Sequence, residues 1–135
     1  MPADMPVRAL TILPVEYGAI DARGKILLAG LFAGLAVPVT PFDVTFAIAL
    51  ELAPAPAGEA AGILRLSGSA LGETVDVPFQ VPVNDDPAGS VGVLVGPRQV
   101  TVNQAGTLVI DVLVHGHEVG QRTLLVRHAS GGRQP

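Results

Sequence analysis

The feature that most constrains this chain is a period of two. Between Asp43 and Leu52, Val44, Phe46, Ile48, Leu50 and Leu52 fall on one parity, and Thr45, Ala47, Ala49 and Glu51 on the other. That spacing is a β-strand with one buried face. Thr74 to Val83 repeats it with Val75, Val77, Phe79, Val81 and Val83, and Gly106 to Val114 with Leu108, Ile110, Val112 and Val114. No window holds apolar residues at i, i+3, i+4 and i+7 with polar residues between, so helices are not expected. Further strands are expected at Val7 to Leu13, Lys25 to Phe32, Gly62 to Ser69, Val91 to Val95, Gln99 to Val102 and Val119 to Arg127. About eight or nine short strands separated by turn residues predict an all-β fold. An antiparallel β-sandwich, Ig-like or similar, is expected, with a small β-barrel as the alternative.

Two details sharpen the topology. Pro78 and Pro82 share a parity of one strand, so both missing N–H groups would have pointed to the same neighbour, which predicts an edge strand. His115-Gly116 reads as a two-residue hairpin turn between Val114 and His117. Strict pairing from that turn sets Ile110 opposite Gln121. A one-residue bulge at Gly120 or Gln121 is predicted instead, because it brings Leu124 and Val126 onto the core face.

The chain of 135 residues is long enough for one domain, expected over 7–128, with an extension at 1–6 and a flexible tail at 129–135. Ala53 to Ala60, rich in Pro and small residues, reads as a loop between strands. Charged residues make 15% of the chain against 49% hydrophobic, and the net charge is -4. That balance gives no attraction to phosphate backbones or anionic lipid, so neither nucleic acid nor a membrane is expected as a partner. From Ile26 to Phe42 no residue is charged, yet Pro38 and Pro41 cut the stretch well short of the roughly 20 residues of a membrane helix. The start, Met1-Pro2-Ala3-Asp4-Met5-Pro6, lacks the cationic opening of a signal peptide. With no cysteine there is neither a disulfide framework nor a thiolate site, and a cytoplasmic address is expected.

The order of local motifs resembles a known family. Val7-Arg8-Ala9-Leu10 leads to Glu16-Tyr17-Gly18, then to Gly24-Lys25-Ile26-Leu27-Leu28-Ala29-Gly30-Leu31-Phe32. Late in the chain come Ala105-Gly106-Thr107-Leu108 and Val114-His115-Gly116-His117-Glu118-Val119-Gly120. The pattern is similar to an uncharacterised family of small bacterial proteins, a domain of unknown function. That family shares an acid-Tyr corner, a Gly-Lys-Leu turn, a Gly-Leu-Phe strand and a closing hairpin. The similarity spans about residues 7–127. This chain departs from the family at Glu16, at Ala33-Gly34 and at His115, where the family usually has Asp, polar or charged residues, and Asp. The resemblance implies a soluble bacterial β protein and carries no activity.

Few residues are candidates for chemistry. His115 and His117 have the H-x-H spacing of a metal site, but a glycine at a turn separates them and no third ligand is evident. Asn84-Asp85-Asp86 offers hard oxygens without the spacing of a calcium loop, and Asn and Asp before Pro and Gly serve turns in any case. Glu16 and Tyr17 form a polar pair near Asp21, Arg23 and Lys25, read as a structural corner in which the tyrosine packs and hydrogen-bonds. The sequences around Ser69 and Ser90 are not G-x-S-x-G, and the glycines at 89, 92 and 96 do not form a nucleotide loop. No catalytic residue, metal or cofactor is therefore expected. The strand from Lys25 to Phe32 is apolar on both parities, so one face needs a cover. If the strands carrying Leu27, Ala29, Leu31, Ala47, Ala49, Val109 and Leu113 are neighbours, these residues form a contact patch. The expected function is a non-enzymatic module for protein contact, first of all as a homodimer. A small-ligand-binding domain is the alternative, and a hydrolase comes third.

Overall fold

In the computed structural model the described residues are 7–20, 26–31, 34–56, 59–82 and 89–129, and for 17–20 and 26–31 the description is of backbone pairing alone. The strands are β1 (Arg8–Ile20), β2 (Ile26–Leu31), β3 (Gly34–Val37), β4 (Phe42–Ala53) and β5 (Ala60–Ser67), followed by β6 (Val75–Val81), β7 (Val91–Val102), β8 (Gly106–Val114) and β9 (His117–His128). They form a four-stranded sheet, β2-β1-β4-β7, and a five-stranded sheet, β3-β9-β8-β5-β6. The fold is the expected all-β sandwich.

The two-residue period builds its core. Phe46, Ile48, Leu50 and Leu52 of β4 and Leu108, Ile110, Val112 and Val114 of β8 belong to one buried cluster, with Val77, Phe79 and Val81 from β6 and Leu124 and Val126 from β9. Polar partners on alternate positions would have to be desolvated there, and no polar or charged residue is buried among the described residues. One end of the core is closed by the β5–β6 loop, whose Ala70 and Leu71 are 0% and 1% exposed. Hydrogen bonds lock this loop to the β7–β8 turn and the start of β8: Ala70 N–H donates to Thr107 O at 2.9 Å and Asn103 N–H to Ala70 O at 2.8 Å.

β6 is an edge, as the prolines predict: Pro78 lies within it and Pro82 just beyond. The His115-Gly116 hairpin forms, with both residues at positive φ (52° and 80°). The β8–β9 bulge exists, but one residue earlier than expected. Val112 pairs with Gly120 and Leu113 with Glu118, so the extra residue is Val119. The consequence is unchanged, since Leu108 pairs with Leu124 and Gly106 with Val126, and both β9 residues are buried.

Three expectations change. The expected strands Val91 to Val95 and Gln99 to Val102 are one, β7, in which Gly96 and Pro97 face Ala47 as a bulge. Gly96 has φ +100°, so a residue without a Cβ carries the bend and pairing with β4 resumes beyond it. β3 was not expected, and it joins β9 in parallel. β1 continues past Leu13 through Pro14 to Ile20. The proline pairs with Ile48 of β4, and among the described residues the pairing of β1 with β2 begins beyond it, at Val15.

β9 comes close to this part of β1. A Cβ at Gly120 would lie 2.7 Å from Ala9 Cβ and 3.3 Å from Ile12 Cδ1. Arg122 Nη1 donates to Ile12 O across the same gap at 2.8 Å. That bond ties β9 to β1 and draws the sandwich together along one side. Residues 1–6 and 130–135, expected as extension and tail, lie outside the described residues. Ala129, expected in the tail, donates its N–H to Val37 O at 2.7 Å.

Candidate functional site

The two outer faces of the sandwich differ in chemistry. On the four-stranded sheet, register aligns Thr11 with Glu51 and Gly92, Leu13 with Ala49 and Leu94, and Val15 with Ala47. Further along, Thr45 pairs with Gln99 and Asp43 with Thr101. Acidic groups thus mark the two ends of β4 on this face, and the rows between are apolar or small. Val15, Ala47 and Ala49 are buried at 0%, 1% and 5% exposure, yet they lie outside the core cluster. At the Glu51 end a shallow hollow of about 290 Å³ is lined by Thr11, Leu13, Ala49, Glu51, Ser90 and Gly92. Thr11 Oγ1 and Ser90 Oγ each donate to one Glu51 oxygen, at 3.4 and 2.9 Å. Asp43 at the other end accepts from Thr101 Oγ1 at 2.7 Å.

The outer face of the five-stranded sheet is polar along its middle. Asp76, Arg65, Asp111 and Gln121 fall in one row across β6, β5, β8 and β9. Arg65 bonds both Asp76 oxygens, from Nε at 2.8 Å and Nη2 at 3.1 Å, and Gln121 Nε2 donates to Asp111 at 2.7 Å. The hydrogen bond from Arg65 holds Asp76 below the ordinary carboxylate range, and the same bond, followed by the Asp76 charge, raises Arg65. Opposite charges on facing strands support the ladder, each pair modestly because water screens it.

The candidates from sequence are placed as follows. Leu27, Ala29 and Leu31 are on β2, paired with Ala19, Tyr17 and Val15, and their side chains lie outside the described residues. With Ala47 and Ala49 they belong to the four-stranded sheet, whereas Val109 and Leu113 belong to β8 of the other. The seven residues therefore do not form one patch, because the chain crosses between sheets before β8. Ala47 and Ala49 are moreover buried, so Leu13 and Leu94 beside them carry the accessible apolar surface of that row. Leu13 and Leu94 were missed. The signal was present: each is a large apolar residue on the parity opposite to its strand's core residues, Ile12 for β1, and Val93 and Val95 for β7.

Glu16 is exposed at the end of the described β1 side chains, beside a cleft of about 260 Å³ that opens between β3 and β4. Tyr17 is described only by its pairing with Ala29, so its expected corner contact lies outside the described residues. Asp85 and Asp86 lie outside them as well. His115 and His117 are exposed, with His115 in the turn and His117 paired to Val114. Among the described residues no group of three or more His, Cys, Asp or Glu is placed to hold a metal ion. The polar end near Ser69 and Glu73 is a third hollow, of about 530 Å³. Its groups bind loop to loop, with Thr107 N–H donating to Ser69 Oγ at 3.0 Å and Gln104 Nε2 to Ser69 O at 2.8 Å.

A family model described as a family of unknown function, DUF6941, matches residues 17–127. No curated protein matches the chain. Among the described residues no helix is long and apolar enough to cross a membrane.

Proposed function

The chain belongs to the family of unknown function DUF6941, and we propose that it works as a non-catalytic contact module whose first partner is a second copy of itself. The observation that carries this reading is the asymmetry of the two outer faces. The five-stranded sheet pairs its charges across Asp76, Arg65, Asp111 and Gln121, as a solvated face does. The four-stranded sheet keeps its accessible middle row, in which Leu13 and Leu94 flank Ala49, without charge. In a chain of net charge -4, an uncharged surface is where a copy approaches without like-charge repulsion. Closed two-fold pairing is the commonest outcome of such self-contact.

Small-ligand binding has less support. The hollow beside Glu51 is shallow, and both carboxylate oxygens already accept hydrogen bonds from Thr11 and Ser90. Acidic charge and the absence of cysteine favour a cytoplasmic protein that binds neither nucleic acid nor membrane. The test is light scattering behind size exclusion of the full chain over a wide concentration range. A mass of twice 13.8 kDa that dissociates on dilution is expected. A monomer at every concentration overturns the proposal.

A further inference from the structure

Binding groups concentrate on loops that a rigid scaffold holds in place. At one end of the sandwich the β5–β6 loop and the β7–β8 turn bound the hollow of about 530 Å³, a volume that suits a small molecule. The loop wall is fixed from both sides. Leu71 is anchored in the core at 1% exposure. From the turn, Asn103 Nδ2 donates to Leu71 O and Gln104 Nε2 to Ser69 O at 2.8 Å. A Cβ at Gly106 would lie 2.2 Å from Ser69 Oγ, so loop and turn meet without slack. These clamps decide the polarity of the site. A backbone carbonyl only accepts, so each amide must give it the nitrogen, and Asn103 Oδ1 and Gln104 Oε1 are left as acceptors. Glu73, exposed on the same loop, also lines the hollow. Among the described residues no donor reaches either amide oxygen or the Glu73 carboxylate. The Glu51 hollow differs on this point, because there the carboxylate already accepts from Thr11 and Ser90.

We propose that this hollow binds a small primary amine as its ammonium ion, held by Glu73 and the amide oxygens of Asn103 and Gln104. An ammonium group carries three N–H donors and no acceptor. That is the complement of three acceptor groups, one of them charged. No Lys, Arg or His lines the hollow, and Thr101 on its wall holds a second acid, Asp43, at 2.7 Å. The net charge of -4 draws a cation toward the chain as a whole. Because the amides are already clamped, binding has little left to order. The inference goes beyond the contact-module reading and does not depend on it, since Thr101 and Asp43 lie at the end of β4 remote from the Leu13-Ala49-Leu94 row.

The probe is n-propylammonium chloride, titrated into the isotope-labelled full chain at constant chloride concentration and followed by amide NMR. The backbone amides of residues 69–73 and 101–104 are expected to shift together and to saturate. Tetramethylammonium, equal in charge but without an N–H, is expected to bind at least about tenfold more weakly. Glu73→Gln keeps the size of the side chain and removes its charge. It is expected to raise the propylammonium dissociation constant at least about tenfold at an unchanged melting temperature. The absence of a saturating shift up to about 0.1 M propylammonium overturns the proposal, as does tetramethylammonium binding equally well or a dissociation constant unchanged in Glu73→Gln. Any of these results leaves self-association standing, and a wild type that stays monomeric leaves the amine site standing.

Discussion

Gly120 sits where β9 presses on β1, and its missing side chain is a packing requirement. A Cβ there meets the Cβ of Ala9 at 2.7 Å, an atom with no rotamer to yield, and Ile12 Cδ1 at 3.3 Å. Gly120→Ala must push the strands apart and lengthen the Arg122 to Ile12 O bond on the same seam. Overpacking of this kind costs about 1–3 kcal/mol, measurable as a lower urea midpoint at unchanged slope. A midpoint equal to wild type would mean the seam has slack. Asp76 tests electrostatics at the same scale. Its carboxyl titrates below the ordinary value because Arg65 donates to it, so its contribution to stability is present above the unfolded pKa of about 3.9 and is lost as pH falls through the lower folded value. Asp76→Asn is therefore expected to be less stable than wild type at neutral pH, by a small margin because the pair is half exposed. The gap should close in acid below pH 4, as followed by denaturation midpoints against pH. A gap that stays constant into strong acid would exclude the ion pair as its cause. Asp76 was not singled out from the sequence, and Gly120 was singled out as a bulge position and not as a contact with β1. Both depend on which strand lies opposite, and a strand's period says which face a residue occupies without naming its neighbour.

At the scale of elements, what was legible was whatever local chemistry decides. The strands of β4, β6 and β8 follow from their alternation, the edge position of β6 from its prolines, and the hairpin from His115-Gly116. The β8–β9 bulge was readable because strict pairing would have sent Leu124 and Val126 to solvent, and its placement at Val119 was one residue off because either side of Gly120 restores the same face. β3 was not legible, since four residues, Gly34 to Val37, cannot display a period, and their place beside β9 is decided by the parallel pairing of Gly34 to Val37 with Leu125 to His128. The hairpin makes its own prediction. His115 has φ 52°, a region in which Asn is much less strained, and Asn-Gly is the preferred pair for such a turn. His115→Asn is expected to raise stability by about 0.5–1 kcal/mol, visible as a higher melting temperature. Unchanged or lower stability would mean that the imidazole makes a contact worth as much as the strain it carries.

For the whole molecule, the question is which side of the sandwich meets a copy, and net charge gives a way to ask it. Val109 and Leu113 entered the expected contact patch because strand order was not legible: period places a residue inward or outward, while the sheet it joins depends on where the chain crosses over. They lie instead on the five-stranded sheet, in rows flanking the Arg65 and Asp111 positions. If self-association uses the charge-free row Leu13-Ala49-Leu94 of the four-stranded sheet, added salt has no interfacial ion pair to screen and only weakens repulsion between two copies of net charge -4. The Debye length falls from roughly 14 Å at 0.05 M to about 4 Å at 0.5 M salt. The dimer dissociation constant, followed by sedimentation, is therefore expected to stay level or fall over that range. Val109→Glu, a new charge on the opposite face, should leave it within about threefold, well under 1 kcal/mol. A dissociation constant that rises about tenfold with salt, together with loss of the dimer in Val109→Glu, would locate the contact on the charged ladder of the five-stranded sheet and displace the four-stranded sheet from that role.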